Sequence, residues 1–572
     1  MIGQSIRRFL RNQDGALIPF ALQIFLMMMI CLGITVDLVR QEELRTRVQN
    51  TLDRAALAAA SLSQELPPAE VVQDYLNKAG LGYLSVTPLV EEGALKQWRR
   101  VSVNASQGLT TMFGRLIGMD NLRISASSQA EESIGNVEIS LVLDISGSMN
   151  FNIETGASGV SPTRMEQLRP AALNFVNKMF ETVQPEGAPD GRLSISIVPY
   201  NQQVVLGSEL ASVLHLSTDH TKNTCADVEI LPDTEIAIDA DGALQRVMYG
   251  DSFNYWGYRA SRDGPVLNVT LPTYGTQYDS RNAKGIENCI ENANANVLAF
   301  SGDQTTIETK INALTPGGDT AIDVGARWGF ALLDPAMRPA LNRMITADSG
   351  RSELAGRPFD YGDGDGDLSR SAMKVMVLMT DGENTRSYST RPAYRSGASG
   401  FFSTSGASSF GLSGTAWSNL YYMVGDGRAN PYYRLSNKTW YAKSNITGTL
   451  SAIDWATIWG KDYTLQYMIN TFLYPPRNAA TGISKTSIYA EMAVQSEFAQ
   501  KDTALNNLCA AAKADTRGIF VFTVAVDAPD EGVSILRNCA SADGYAYNVT
   551  ASGLTDAFTS IAAAISALRL TN

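Results

Sequence analysis

Five oxygen-bearing side chains in three separate segments of the 572-residue chain could together bind a divalent cation. Asp144, Ser146 and Ser148 form a D-x-S-x-S motif, Thr320 lies in a glycine-rich loop, and Asp381 follows an apolar run. Carboxylates and hydroxyls are hard oxygen donors, which suit Mg²⁺, Mn²⁺ or Ca²⁺ better than zinc. The pattern therefore predicts one hard-cation site that is assembled from distant parts of the chain.

Two other interpretations of these residues remain open. A D-x-S-x-S segment on its own also serves as a polar cap between a strand and a loop, because Ser and Asp favour turns. A phosphatase-like site with Asp144 as nucleophile needs a second acid two residues later, where this chain has Ser146. The cation site is favoured because all three segments occur in the strand and loop context that it requires.

The segments that carry these residues predict an open α/β sheet. Residues 137–144 and 375–381 are short, mostly apolar runs typical of buried parallel strands, and 321–333 has a helical pattern. In such sheets ligands bind outside the carboxyl ends of the strands, where the strand order reverses. We therefore expect the five side chains to converge at one edge of the sheet.

This constellation resembles the metal-ion-dependent adhesion site of von Willebrand factor type A domains. The resemblance implies a doubly wound, mostly parallel, Rossmann-like α/β sheet, and it implies that one coordination position is left for an acidic side chain of a partner protein. By the same resemblance, Mg²⁺, Mn²⁺ or Ca²⁺ is held directly or through water by Asp144, Ser146, Ser148, Thr320 and Asp381. A metal-dependent hydrolase is the alternative from another class, but no positioned base or nucleophile is evident, so an enzyme is not expected.

The N-terminus predicts a membrane anchor. Residues 16–36 contain no charged side chain and are long enough to span a bilayer as a helix. Residues 1–15 form a basic leader, which favours a cytoplasmic N-terminus. A helical pattern continues from the span to near Pro67, which argues against the competing interpretation, a cleaved signal peptide.

The N-terminal region also resembles a known family. Residues 11–20, the apolar span and residues 47–60 are similar to the N-terminal segment of TadE/TadG-like proteins of bacterial Tad (Flp) pilus assembly. The family's TadG-like members carry a periplasmic von Willebrand A domain. Prepilin-type members are cut after a glycine and have Glu five residues later, whereas Phe20 occupies that position after Gly15, so processing is not expected.

Together the two resemblances imply a single-pass protein of the bacterial inner membrane with most of the chain periplasmic or extracellular. The expected partner is an envelope or pilus-assembly protein that offers an acidic residue to the metal. The alternative is a surface adhesin that binds an external ligand through the same site. A nucleic-acid partner is not expected, because the formal net charge is -12 and phosphate binding needs clustered Lys and Arg.

The rest of the chain predicts a stalk and a discontinuous core. Residues 37–133 are expected to form a helical stalk and a small pilin-like α/β region. Residues 134–572 are expected to form the von Willebrand A domain, with insertions at about 202–303 and 387–483. The second insertion is rich in Tyr and Trp, which either contact a partner or glycan or build the insertion's own core.

Three smaller features complete the predictions. Four cysteines outside the span fit an oxidising compartment, and their proximity suggests the pairs Cys225–Cys289 and Cys509–Cys539, with free buried thiols as the alternative. The two histidines lie in a polar loop and are expected to be solvated. A glycine-spaced acidic segment fits either a calcium loop or a solvated turn, and its acids are Asp363, Asp365 and Asp367.

Overall fold

A computed structural model divides the chain into two compact units, residues 1–134 and 135–572. The structure describes residues 17–61, 64, 66–84, 86–92, 98–133, 135–185, 188, 190–248, 289, 291–362, 371–385, 387–411, 414–461, 463, 465–514 and 516–571. The basic leader and the acids of the suggested calcium loop lie outside these ranges. The cytoplasmic N-terminus and the calcium loop therefore stay predictions.

One long helix dominates the N-terminal unit. Helix α1, Leu17–Ala60, runs for 44 residues and contains a window of mean hydropathy 2.2 that is long enough to cross a membrane. Its second half packs on the rest of the unit through small and branched apolar side chains at helical spacing. The buried members of this stripe are Val48, Leu52, Ala55, Ala56, Ala59 and Ala60.

A second helix and a small sheet complete this unit. Helix α2 spans Pro68–Lys78, within the region 37–133 for which the sequence predicts a helical stalk and a small α/β region. The antiparallel sheet has the order β1-β2-β3, and its strands are β1 Leu89–Glu92, β2 Trp98–Thr110 and β3 Asn121–Ser133. Strands β2 and β3 pair along their whole length, from Trp98 opposite Ser133 to Thr110 opposite Asn121.

The C-terminal unit is built on a six-stranded sheet. Its strands are β4 Asn136–Asp144, β5 Leu193–Tyr200, β6 Leu298–Ser301, β7 Ala372–Thr380, β8 Phe520–Val526 and β9 Ala546–Val549. The spatial order is β9-β8-β7-β4-β5-β6, and only the edge strand β6 is antiparallel to its neighbour. The chain adds strands on one side of β4 and then on the other, so the order reverses between β4 and β7. The expected doubly wound, mostly parallel α/β sheet is confirmed.

Helices cover both faces of this sheet. One face carries α3 Arg164–Val183, α4 Gln304–Ala313 and α9 Leu554–Thr571. The other face carries α5 Ile322–Ala331, α6 Arg338–Ala347, α7 Phe498–Lys513 and α8 Asp530–Cys539. Residues 551–568 are also apolar enough to pass as a membrane span, but Leu554, Phe558 and Ile561 are fully buried in the core.

The first insertion is shorter than the sequence predicts. Strand β6 lies inside the range 202–303, yet it pairs with β5 and belongs to the core sheet. The insertion contributes the helix Gly207–Val213 and two parallel two-residue strands, His215–Leu216 and Ala243–Leu244. A four-residue edge strand carries too little periodic signal to be separated from the polar segment before it.

The histidine prediction is wrong for His220. This side chain is buried, and its Nε2 lies 2.9 Å from the carbonyl oxygen of Val247, while its Nδ1 accepts the Lys222 N–H. Burial lowers the pKa of His220 to about 4. The residue therefore has a neutral, structural role within the first insertion, whereas His215 is exposed.

The second insertion forms a separate small sheet. Five antiparallel strands are Ala398–Ser403, Leu420–Met423, Tyr432–Arg434, Thr439–Tyr441 and Ser451–Asp454. Many of its rings are interior: Phe401, Trp459 and Phe472 are fully buried and belong to one cluster that extends to Ala493, beyond the predicted end at 483. These aromatic side chains build the insertion's own core.

Both suggested disulfides are present. Cys225 is bonded to Cys289, and Cys509 is bonded to Cys539. The second bond joins helix α7 to the end of α8 on one face of the core sheet. Cys31, within the apolar part of α1, is a free and exposed thiol.

Candidate metal centre

The predicted ligands lie at the carboxyl edge of the sheet, where the strand order reverses. Asp144 is the last residue of β4, and Asp381 directly follows the neighbouring strand β7. Both carboxylates are buried, with side chains that are almost completely shielded from solvent. The apolar runs that form β4 and β7 therefore place two acids side by side, as the topology requires.

Hydroxyl groups connect the two carboxylates. The Oγ atoms of Ser146 and Ser148 lie 2.9 Å apart, and Ser148 donates a hydrogen bond of 2.7 Å to the Oδ1 of Asp381. Asp144 accepts the backbone N–H of Ser146 at 2.7 Å and the hydroxyl of Thr380 at 2.7 Å. Four of the five predicted ligands therefore form one hydrogen-bonded cluster.

The fifth predicted ligand, Thr320, reaches the same edge on a neighbouring loop. Its hydroxyl lies 3.5 Å from the point where a Cβ on Gly382 would be. The Thr385 hydroxyl and backbone N–H both donate to the Thr320 carbonyl, at 2.7 and 2.8 Å. The structure thus places Thr320 beside the residue that follows Asp381.

Backbone hydrogen bonds hold the D-x-S-x-S loop against the Thr320 loop. The N–H of Gly147 donates to the carbonyl of Gly318 at 2.8 Å, and the N–H of Gly317 donates to the carbonyl of Ile145 at 2.7 Å. A Cβ at position 147 would lie 3.1 Å from the Gly318 oxygen. Glycine is therefore suited to position 147 because the two backbones approach closely there.

The electrostatics of this edge disfavour two ionised acids. Burial, together with the neighbouring Asp381 carboxylate, raises the pKa of Asp144 to about 7. Burial also raises the pKa of Asp381, although hydrogen bonds from Ser148 and Arg164 oppose the shift. The cluster therefore favours additional positive charge.

The sequence analysis did not predict that a basic side chain lies at this edge. Arg164, at the first turn of α3, donates from Nη1 to the Oδ2 of Asp381 at 2.7 Å, and its Nε lies 3.8 Å from the Oδ2 of Asp527. Asp527 follows β8, so it is a third acid at the same edge. The available signal was weak: Arg164 follows the capping-box residue Thr163, and a cation at a helix N-terminus is disfavoured unless acids compensate it.

Comparisons with known proteins bear on the two ends of the chain. Residues 15–62 match the sequence model of the family described as Flp pilus-assembly TadE/G-like. The chain therefore carries a TadE/G-like N-terminal segment, as the sequence predicts. No curated protein is significantly similar to the chain in sequence.

Solved structures with some similarity include several pilus proteins. The von Willebrand factor domain of the type V pili tip protein Mfa5 from Porphyromonas gingivalis is 15% identical, with a TM-score of 0.27, over 75% of this chain and 95% of that chain. The pilus adhesin SpaC from Lactobacillus rhamnosus GG is 12% identical, with a TM-score of 0.26, over 84% of this chain. The matched part spans only 34% of the SpaC chain. Because these TM-scores are low, the doubly wound fold is assigned from the strand order of this chain itself.

Proposed function

Because this chain joins a TadE/G-like pilus-assembly segment to a von Willebrand A domain, we propose that it is a membrane-anchored assembly protein of a Tad (Flp) pilus system. Residues 16–36 anchor it in the bacterial inner membrane, with the N-terminus in the cytoplasm and the bulk of the chain in the periplasm. Its cation site binds another envelope or pilus-assembly protein. The single observation that carries the proposed cation site is the cluster of four predicted oxygen ligands at the sheet edge, with the fifth, Thr320, on the adjoining loop.

The donor set fits Mg²⁺, Mn²⁺ or Ca²⁺. Two carboxylates and three hydroxyls are hard ligands, and burial beside Asp381 raises the pKa of Asp144, so the ionised pair favours a further cation beside Arg164. Within the described part of the chain, no group of three or more His, Cys, Asp or Glu side chains is placed to hold a metal ion. The hydroxyl-rich edge is therefore the best-supported cation site.

The proposed chemistry is binding and not catalysis. A bound cation would offer a coordination position that a carboxylate of the partner protein can fill. The chain's own part is to fix the acids: Thr380 and the Ser146 N–H orient Asp144, while Ser148 donates to Asp381. None of these contacts activates a nucleophile, which is why we do not propose a hydrolase.

Replacing Asp144 tests the metal site. Asp144→Ala should abolish Mg²⁺ binding in isothermal titration calorimetry, because it removes a charged ligand from the end of a strand. Glu154→Ala is the matched control, since it removes an exposed carboxylate from the loop that follows the motif. Unchanged Mg²⁺ affinity in the Asp144 variant, with an intact circular dichroism spectrum, would contradict the assignment.

The pH dependence of the same titration gives a second readout. A proton on Asp144 competes with the cation, and the pKa of Asp144 is raised to about 7. Mg²⁺ affinity of the unmodified protein should therefore fall as the pH is lowered below about 7. A constant affinity between pH 5 and 8 would contradict competition between the proton and the cation at Asp144.

Crosslinking in native envelopes tests the partner. Pilus-assembly components should be captured by the unmodified protein and lost with a chelator or with Asp144→Ala. Capture that does not depend on the metal would support the pilus assignment but contradict a metal-dependent contact with the partner. Normal pili in a deletion strain that no longer attaches to surfaces would instead favour the adhesin.

A further inference from the structure

The turn between β2 and β3 exposes a cluster of large apolar side chains. We call residues 111–120 the hairpin tip. The exposed fractions of its apolar side chains are 64% for Met112, 40% for Phe113, 71% for Leu116, 47% for Ile117 and 43% for Met119. A short segment of a water-exposed surface seldom concentrates so many apolar groups, so the cluster indicates a contact surface.

Helix α1 holds the hairpin tip at a defined position. The buried carboxylate of Asp37 accepts the backbone N–H groups of Met112, Phe113 and Gly114, each at 2.8 Å. The ring of Phe113 packs on the helix at Gly33, where a Cβ would lie only 2.5 Å from a ring atom. Any larger residue at position 33 would push the ring away. The tip is therefore fixed to α1 between Gly33 and Asp37.

This attachment point coincides with the end of the apolar stretch. Asp37 is the first charged residue after the uncharged span 16–36. Exposed apolar side chains cover α1 from Ile18 to Val39, and the Phe113 ring of the tip packs on this stretch at Gly33. If residues 16–36 cross the bilayer, the tip lies at the level where the helix leaves the hydrocarbon core.

We propose that the hairpin tip inserts its apolar side chains into the lipid headgroup and acyl boundary beside α1, as a second membrane contact. This inference depends on the proposed anchoring of α1. Apolar side chains at such a boundary are buried to a depth of about 5 to 10 Å. Arg115, which is exposed in the middle of the tip, is placed to reach lipid phosphates.

The opposite end of the same sheet provides an internal comparison. Leu89 is 61% exposed and lies on β1, opposite Ser102 of β2. Along β2, the part from Ser102 to Thr110, beside the tip, covers about 26 Å at about 3.3 Å per residue. An exposed leucine at each end of one sheet should therefore report two different environments.

Spin labelling of the full chain in phosphatidylethanolamine and phosphatidylglycerol nanodiscs tests the proposal. With Cys31→Ser as background, single cysteines are introduced by Leu116→Cys at the tip, Leu89→Cys at the far end of the sheet and Leu26→Cys in the span. Electron paramagnetic resonance then compares the access of oxygen and of a water-soluble nickel chelate. We expect the labels at 116 and 26 to favour oxygen and the label at 89 to favour nickel.

The outcomes separate this proposal from the anchor. A label at 116 that is as accessible to nickel as the label at 89, while position 26 remains in lipid, overturns the hairpin insertion and leaves the anchor intact. A nickel-accessible label at position 26 contradicts the anchor itself, and with it the insertion. A label at 116 that is shielded from both reagents shows a protein contact and also overturns lipid insertion.

Discussion

Arg164 places a guanidinium group at the edge where the divalent cation is proposed to bind. It bonds to Asp381, although the two residues are separated by 217 positions, and it approaches Asp527 from the first turn of α3. The positive end of a helix dipole disfavours a cation, so the carboxylates must compensate for its placement. Arg164 therefore partly neutralises the acids when no metal is bound.

Removing this charge should strengthen cation binding. Arg164→Gln keeps a hydrogen-bond donor but removes repulsion of the ion, so Mg²⁺ affinity should rise by about fivefold, or about 1 kcal/mol. Calorimetry measures the change, and Lys178→Gln, which removes an exposed charge from the same helix, is the control. Weaker binding in Arg164→Gln would show that the guanidinium supports the ligands instead of competing with the metal.

The sequence predicted part of this cluster and missed the rest for a physical reason. Asp144, Ser146 and Ser148 stand at fixed spacing after an apolar strand, so their pattern is local. The pairing of Arg164 with Asp381 arises only when α3 packs on the sheet beside β7. A basic residue at the start of a helix carries no local sign of such a contact.

At the scale of elements, the best predictions concern segments buried on a consistent face. Strand β4 is buried at every position, which gives the continuous apolar run seen in the sequence. Helix α2 has local signals of its own, which are proline at its start, Glu70 in its first turn and Lys78 in its last turn. Strand β6 was missed because it is short, lies at an edge and follows a polar insertion.

The disulfide between α7 and α8 should stabilise the C-terminal unit. Cys509 and Cys539 are separated by 30 residues, for which restriction of the unfolded chain contributes about 3 to 4 kcal/mol. The double variant Cys509→Ser/Cys539→Ser should lose that amount in chemical denaturation. Cys31→Ser, which removes a free thiol, is the control and should leave the free energy of unfolding unchanged. A loss below about 1 kcal/mol would mean that the bond closes a segment already ordered in the unfolded chain.

At the scale of the whole molecule, the two units have separate hydrophobic cores. Among the residues that the structure describes, one cluster lies within the N-terminal unit and three lie within the C-terminal unit. The aromatic insertion adds the third of these, which the sequence left open between a contact surface and a small core. Its rings are far apart in the sequence, so their common burial could not be read from composition.

Separate cores predict two thermal transitions for the full chain in nanodiscs. Mg²⁺ should raise only the transition of the C-terminal unit, because the cation binds its folded state. Leu52→Ala should destabilise only the N-terminal unit, by about 2 to 4 kcal/mol, since Leu52 is fully buried. Leu57→Ala, at an exposed position of the same helix, is the matched control in differential scanning calorimetry. A single transition that both changes shift would show that the units unfold together.

The unbroken course of α1 has a mechanical consequence. From Asp37 to Ala60 the helix rises about 35 Å at about 1.5 Å per residue. A glycine-rich linker of the same length would let the sheet sample many distances from the lipid. A helix that packs on the sheet restricts this distance. If α1 is anchored as proposed, a force on the N-terminal unit along the helix axis is transmitted to the bilayer by the helix. The helix resists extension through its successive backbone hydrogen bonds. A partner that engages the Ala60 end of α1 would contact the protein at most about 35 Å beyond the end of the span.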